Sequence, residues 1–325
     1  MVIQEDMRQR KPRLTEVCSA GEPLNPEAEG VLVLRLVSRL ENEYRLSDRE
    51  WVQRSAFLLG RTMTGYEVLK IQSAVDCLLA DQGEKKRPLG VIGHGEGGRL
   101  ALFAAALAER INAALVSGAF GPREALWKEP ADRNVFGLLR EFGDAELGSL
   151  VAPRPLVIEH GVYPKYGYRA GVDLEIDPEN RAKLPGKPGL LPSPTEAAVT
   201  SEWERLKSLT SDARVELVKS NETLSDEAMS RFLAALKLPA AVKKPAQGND
   251  IPSPSTDRID DLVRHNRLAL IEAAGDRKRY FADLKSDSLE NFQKTIEPYR
   301  EKFRTEVIGD FELPLLPPKV RTRPY

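Results

Sequence analysis

The segment PLGVIGHGEGGRLALFAAALAERINAALVSG, residues 88–118, decides the fold. An apolar strand is predicted over residues 89–92, and a cluster of glycines follows it. An alanine-rich helix is predicted over residues 97–110, and a second apolar strand over residues 113–116. Strand, turn, helix and strand within about 30 residues form a βαβ unit. We therefore expect the two strands to be parallel and the crossover to be right-handed.

The rest of the chain continues this alternation of strands and helices. Three more β-branched or leucine-rich runs predict strands, at residues 31–37, 155–161 and 215–220. Helical spacing predicts helices within residues 48–82, near 135–142, over 194–209 and after a candidate N-cap at Ser225. About five strands alternating with helices predict an α/β fold with a mainly parallel sheet.

Composition divides the chain into four parts. Residues 1–29 are polar and predicted to be irregular, and residues 30–239 hold the α/β domain. Within that domain, the proline- and glycine-rich residues 162–193 are predicted to be a long loop excursion. Residues 240–256 have the composition of a linker. Residues 257–325 are predicted to be a helical extension with a proline-rich tail.

Bulk properties exclude several classes of protein. The 325 residues carry a formal net charge of -1, with 41% hydrophobic and 30% charged residues, which is typical of a soluble globular protein without a global attraction to nucleic acid or anionic membranes. The N-terminus lacks the apolar core of a secretory signal, so a cytoplasmic location is the default expectation. Cys18 and Cys77 belong to no CxxC motif, and we expect neither a metal nor a cofactor.

The glycine turn, Gly93-His94-Gly95-Glu96-Gly97-Gly98, fits two functions. Gly93, Gly95 and Gly98 satisfy the G-x-G-x-x-G pattern of dinucleotide-binding turns. That function needs an acidic residue at the end of the next strand, and here the strand ends in Ser117-Gly118. Dinucleotide binding is therefore kept as an alternative.

The second function is the nucleophile elbow, G-x-S-x-G. Its outer glycines are required because the turn is sharp and both neighbours crowd the Cβ of the nucleophile. Gly93 and Gly97 occupy those outer positions. The central position, where the nucleophilic serine would stand, is Gly95.

Several motifs around this turn carry a family resemblance. The segment from GVIGHGEGG to PLVIEHG resembles α/β-hydrolases of the dienelactone-hydrolase and acetyl-xylan-esterase kind. It is similar to the N-terminal half of large two-part bacterial proteins with a G-x-G-E-G-G turn, a D-R-N-V-x-G-L-L segment (residues 132–139) and an A-P-R-P-L segment (152–156). The likeness runs from about residue 50 to the C-terminus and is weak over residues 162–255. It implies an α/β-hydrolase fold of ester-hydrolase lineage, with a second hydrolase-like domain or subunit as partner.

The other triad positions are also altered. In this fold the acid follows the nucleophile in the chain, and the histidine comes last. After the strand over residues 215–220 the chain continues Asn221-Glu222-Thr223, without a histidine. The carboxylate nearest the expected acid position is Glu159, with His160 beside it. Apart from the strand that leads into the elbow, only the strand over residues 31–37 is predicted before it, fewer than a complete hydrolase sheet has. We therefore expect an incomplete, degenerate hydrolase domain that is inactive alone and acts as a scaffold or binding domain.

An active esterase using other residues remains an alternative. Glu96, Glu159, His94 and His160 are all predicted near the carboxyl ends of central strands, where α/β sheets bind ligands. Such groups could act as acid and base on a water molecule or bind a metal, with Glu96 and His160 as the leading pair.

The favoured interpretation of these residues is structural. Glu96 then caps its helix, His94 packs against the neighbouring strand, and Glu159 and His160 hydrogen-bond to local loops. Ser117 is expected to cap or close a turn. A polar shell is expected to fix the loops after the second strand of the βαβ unit; its members are Arg99, Arg123, Arg133, Arg140, Glu141, Asp144 and Glu146.

Overall fold

The computed structural model describes two compact units, Met1–Leu268 and Ala269–Tyr325. The described residues are 2–4, 32–37, 46–82, 87–164, 189, 191, 193–210, 214–238, 257–310 and 317. The predicted linker over residues 240–256 and most of the predicted loop excursion over 162–193 lie outside them.

The boundary between the two units falls inside the helix Asp257–Tyr280. Fully buried Asn266 lies in the first unit, and its amide donates to Ser55 Oγ at 2.8 Å and to the carbonyl of Val52 at 3.4 Å. The first turns of that helix are therefore tied to the α/β unit.

Six described strands form one parallel sheet, which confirms the predicted fold class. They are β1 Val2–Gln4, β2 Val33–Arg35, β3 Gly90–His94, β4 Ala113–Ser117, β5 Leu156–His160 and β6 Val215–Lys219, in the order β2-β1-β3-β4-β5-β6. The register places His94 opposite Ser117, and Ser117 opposite Glu159. The carboxyl ends of β3, β4 and β5 therefore meet at one edge of the sheet.

Strand β1 departs from the sequence prediction, which treated residues 1–29 as irregular. Val2–Gln4 pairs with both β2 and β3. Its β-branched residues Val2 and Ile3 favour extended backbone. Three residues are too few to show an alternating pattern, so this strand gave no signal in the sequence.

Besides two short 3-10 helices at Leu126–Lys128 and Ala131–Arg133, nine α-helices are described. They are α1 Asp48–Phe57, α2 Met63–Asp81, α3 Glu96–Leu107, α4 Leu138–Glu141, α5 Asp144–Ser149, α6 Glu196–Leu209, α7 Asp226–Ala235, α8 Asp257–Tyr280 and α9 Leu289–Lys302, with a π-helical turn over Phe303–Gly309. The predicted helical region 48–82 is divided in two. Gly60 adopts a φ of 68° between the halves, and the Thr62 side chain accepts from the backbone N–H of Gly65 to start α2. Within the described part of the chain, none of these helices is both long and apolar enough to cross a membrane.

Helices cover both faces of the sheet. On one face α3 lies close to the strands because its buried face is largely alanine, including Ala101, Ala104 and Ala105. On the other face α7 packs Phe232 and Leu233 against the sheet. The βαβ unit is thus buried on both sides, as expected for a parallel sheet.

Candidate functional site: the elbow and its surroundings

The turn between β3 and α3 has the backbone of a nucleophile elbow. Gly95 stands between the two elements with φ 58° and ψ -120°, a region that side-chain-bearing residues rarely adopt. Its N–H donates to the carbonyl of Ser117 at 2.9 Å. A sharp turn from strand to helix at the carboxyl edge of the sheet is the elbow arrangement of α/β-hydrolases.

Steric crowding explains the neighbouring glycines. A Cβ on Gly93 would lie 2.0 Å from the carbonyl oxygen of Gly97. A Cβ on Gly98 would lie 2.8 Å from the Ala119 Cβ and 2.9 Å from the Ser117 carbonyl oxygen. The close packing of turn, helix and strand therefore requires these glycines, whether or not a nucleotide binds.

The space for a nucleophile's side chain is taken. A Cβ built on Gly95 would lie 2.6 Å from Cγ of Pro164, in the loop after β5. Real Cβ contacts are not that short, so a side chain at position 95 would require Pro164 to move. The sequence gave no sign of this contact, because Pro164 lies in a segment, residues 162–193, that was predicted only as a loop.

A cavity of about 20 Å³ remains beside Gly95. It has room for a water or the end of a small ligand, because one water needs roughly 10–15 Å³ on this measure. Its lining residues are Gly95, Gly118, Ala119, Gly121, Pro122, Arg123, Arg133, Tyr163, Pro164, Leu191 and Pro194.

Glu159 stabilises the loop in which a catalytic histidine would be expected. Its side chain is fully buried, and it accepts hydrogen bonds from the backbone N–H of Ser225 at 2.8 Å and of Leu224 at 2.9 Å. The hydroxyl of Ser117, also buried, donates to the same carboxylate. Leu224 is one of the described non-glycine residues with a positive φ, 51°. Glu159 therefore fixes a strained turn at the start of α7.

The two histidines of this edge bind main-chain carbonyls. Nε2 of His94 lies 2.6 Å from the carbonyl oxygen of Val162, and Nε2 of His160 lies 3.4 Å from that of Pro194. In each case the ring nitrogen acts as the donor, because a carbonyl can only accept. His94 thereby holds the loop that carries Pro164.

Glu96 lies among three guanidinium groups. Its side chain is fully buried at the start of α3. Oε1 lies 2.7 Å from Nη2 of Arg99 and 3.4 Å from Nη2 of Arg49, while Oε2 lies 3.4 Å from Nε of Arg133. This carboxylate is thus paired with structural cations.

These contacts belong to a larger buried cluster, which we call the ion-pair network. Arg49 also lies 2.8 Å from Asp132 and 3.3 Å from Glu67, and Arg123 lies 2.8 Å from Asp144. Among the described residues, five cations meet five carboxylates: Arg49, Lys70, Arg99, Arg123 and Arg133 with Glu67, Glu96, Glu129, Asp132 and Asp144.

The predicted polar shell is partly correct. Arg99, Arg123, Arg133 and Asp144 belong to the ion-pair network. Arg140 and Glu141 do not, because they pair with each other on the surface. Glu146 binds Arg205 instead, together with the backbone N–H of Gly143.

The two arginines that line the cavity differ in how far neighbouring carboxylates offset the cost of burying their charge. Burial lowers the pKa of Arg133 to about 10, and neighbouring Arg99 opposes the help that Glu96 gives. Burial also acts to lower the pKa of Arg123, but the ion pair and hydrogen bond with Asp144 outweigh it and raise that pKa above its usual value. The cost of burying the positive charge is therefore less well offset at Arg133 than at Arg123.

Comparisons with known proteins add structural likenesses at low identity. A CE15 glucuronoyl esterase from Teredinibacter turnerae T7901 aligns with TM-score 0.38 and 12% identity over 55% of this chain and 46% of that one. A CE15 glucuronoyl esterase from Caldicellulosiruptor kristjansonii aligns with TM-score 0.37 and 12% identity, over 60% and 56% of the two chains. The acylaminoacyl peptidase of Pyrococcus horikoshii aligns with TM-score 0.34 and 13% identity, over 60% and 30%.

The chain thus spans only about a third to just over half of those three structures. No family model and no curated protein matches the sequence. The evidence for the α/β fold is therefore the parallel sheet itself, together with the sharp strand-to-helix turn at Gly95. Among the described residues, no group of three His, Cys, Asp or Glu side chains is placed to hold a metal ion.

Proposed function

We propose that this chain is a domain of hydrolase lineage that does not cleave esters through a serine, and that it serves as a scaffold or binding domain. The observation that carries the proposal is the elbow, which keeps its backbone without a nucleophile. Gly95 offers no side chain, and Pro164 occupies the space where one would stand.

The acid and base positions support the same proposal. Serine hydrolysis needs a base within hydrogen-bond reach of the nucleophile and an acid that orients the base. Glu159 is bound by Ser117 and by two backbone N–H groups of the loop after β6. That loop contains Asn221, Glu222 and Thr223 and no histidine.

The partner proposed for this scaffold is a second hydrolase-like domain or subunit, as the sequence resemblance implies. Coexpression tests the role directly. A scaffold is expected to raise the soluble yield or the thermal midpoint of that domain, because binding to the native state adds stability. A partner that behaves identically with and without this chain would count against it.

Ester turnover tests the loss of catalysis. The assay measures hydrolysis of 4-nitrophenyl acetate and of acetylated xylan by the purified chain and by Gly95→Ser. We expect both to stay at the rate of buffer, since restoring a serine restores neither the histidine nor the space held by Pro164. The double variant Gly95→Ser/Pro164→Gly removes the clash and is still expected to lack turnover, because the base is missing.

Two further variants separate the alternatives. Turnover by the wild-type chain that disappears in a folded His160→Asn variant but persists in the matched surface control His265→Asn would establish an active esterase and overturn the proposal. A saturable thermal shift with NAD or FAD would instead support dinucleotide binding through Gly93, Gly95 and Gly98.

A further inference from the structure

The cavity beside the elbow is lined by two charged side chains, and both are arginines. Arg123 and Arg133 contribute to its wall, together with Tyr163, Pro164 and Leu191. Arg133 is 4% exposed and Arg123 is 9% exposed, so their charges are largely shielded from bulk water. Tyr163 is not a spare donor there, because its hydroxyl donates to the carbonyl of Phe120 at 2.7 Å.

Arg123 is anchored by hydrogen bonds to two described residues. Its Nε donates to Asp144 at 2.9 Å, its Nη2 donates to the carbonyl of Ala119, and it lies 3.8 Å from Glu129. The raised pKa of Arg123 reflects this pairing with Asp144 against the cost of burial. Arg123 therefore contributes positive charge to the wall while being held rigidly in place.

Arg133 is different. Its Nε lies 2.7 Å from Glu129 Oε2 and 3.4 Å from Glu96 Oε2, but neither contact has the angles of a hydrogen bond. No side-chain hydrogen bond from Arg133 to a described residue is present. A guanidinium has five N–H donors. If a small movement let Nε donate to Glu129, the N–H groups of both terminal nitrogens would still have no acceptor among the described residues.

The terminal nitrogens of Arg133 make no hydrogen bond to a described residue, so a ligand that accepts from them adds hydrogen bonds that the protein alone does not supply. The planar guanidinium fork matches the two oxygens of a carboxylate in geometry and in charge. The cavity volume of about 20 Å³ admits such a flat terminal group but not a bulky one.

We propose that this cavity binds the carboxylate group of a small organic acid, with Arg133 as the principal donor. The ligand lies where the substrate of a hydrolase would meet the elbow, and it is held by side chains of the ion-pair network and not by a catalytic triad. The inference gives a ligand class to the proposed binding role. The test measures only the binding of an anion. Acetate binding can therefore fail while the expected lack of ester turnover is confirmed, and ester turnover can be found while acetate binds as proposed.

The test uses the full chain and sodium acetate as the probe. Methyl NMR follows the side chain of Leu191, which is buried in the cavity wall, during a titration with acetate against chloride at constant ionic strength. We expect a saturable shift of the Leu191 methyl signals at millimolar acetate. Leu268, half exposed and outside the cavity lining, is the internal control and is expected not to shift.

Variants assign the binding to Arg133. Arg133→Lys keeps the charge but loses the planar fork, and it is expected to weaken acetate binding by about tenfold. Arg140→Gln removes one exposed arginine from the surface and is expected to leave the affinity unchanged. A wild-type protein without a saturable shift at Leu191 overturns the proposal, as does a folded Arg133→Lys variant that binds acetate as tightly as the wild type.

Discussion

Glu96 and Glu159 are two fully buried carboxylates at the same edge of the sheet, yet they are neutralised in different ways. Glu96 is surrounded by the guanidinium groups of Arg49, Arg99 and Arg133. Glu159 has neutral partners, which are the Ser117 hydroxyl and two backbone N–H groups at the start of α7. Glu96 is thus stabilised by ion pairs with full positive charges, whereas Glu159 is stabilised by neutral dipoles that point at it.

The two carboxylates differ in how widely their partners are spread through the domain. Burying an ion is tolerated only when its partners are complete. At Glu96 the partners come from α1, α3 and the loop before α4, so that carboxylate joins distant parts of the domain. At Glu159 they come from neighbouring strand β4 and from one loop, so that carboxylate organises a single turn.

The largest effect is expected from Glu96→Gln. This variant removes a fully buried carboxylate from its three guanidinium partners, and breaking a buried pair in this way costs about 3–5 kcal/mol. Urea unfolding at neutral pH measures the loss. Glu141→Gln, on a carboxylate that is 65% exposed, is the matched control and should cost less than about 1 kcal/mol. Equal effects from the two variants would show that the network does not hold the domain together.

A smaller loss is expected from Glu159→Gln. The amide keeps one accepting oxygen but places an NH₂ group near the N–H donors of Leu224 and Ser225, and hydrogen bonds to a charged group are worth about 1.5–3 kcal/mol. Because the partners are local, hydrogen exchange should accelerate at the start of α7 while α1 keeps its protection. Uniform acceleration across the domain would contradict the local role assigned to this carboxylate.

The smallest effect belongs to a carboxylate nearer the surface, Glu146. Its ion pair with Arg205, together with the N–H of Gly143, lowers its pKa from 4.5 to about 2. Since the pKa in the folded state lies below that in the unfolded state, the stabilisation is fully present above about pH 4.5 and is lost as the pH falls towards 2.

Glu146→Gln should therefore cost roughly 0.2–1 kcal/mol at pH 7, because the pair is partly solvated. The gap between the variant and the wild type should close as the pH approaches 2, which unfolding curves at several pH values would show. A difference in the free energy of unfolding that grew as the pH fell would contradict the lowered pKa assigned to Glu146.

Local rules predicted the parts of this structure that depend on neighbours in sequence. Hydrophobic periodicity predicted the βαβ unit and the strands around it, and the elbow's glycines followed from the crowding of Gly93 against Gly97. The ion-pair network was largely missed, because its partners are far apart in the chain: Arg49 and Asp132 are separated by 83 residues. A salt bridge of that kind leaves no periodic signal, and neither does the placement of Pro164 over Gly95.

The most direct test of the central claim is a search for an activated nucleophile. Intact mass spectrometry after incubation with a fluorophosphonate reports any serine that a neighbouring base has made reactive. The elbow at Gly95 and the engagement of Glu159 predict no gain in mass under conditions that label a known serine esterase to completion. A stoichiometric adduct on the folded wild-type chain would contradict the account.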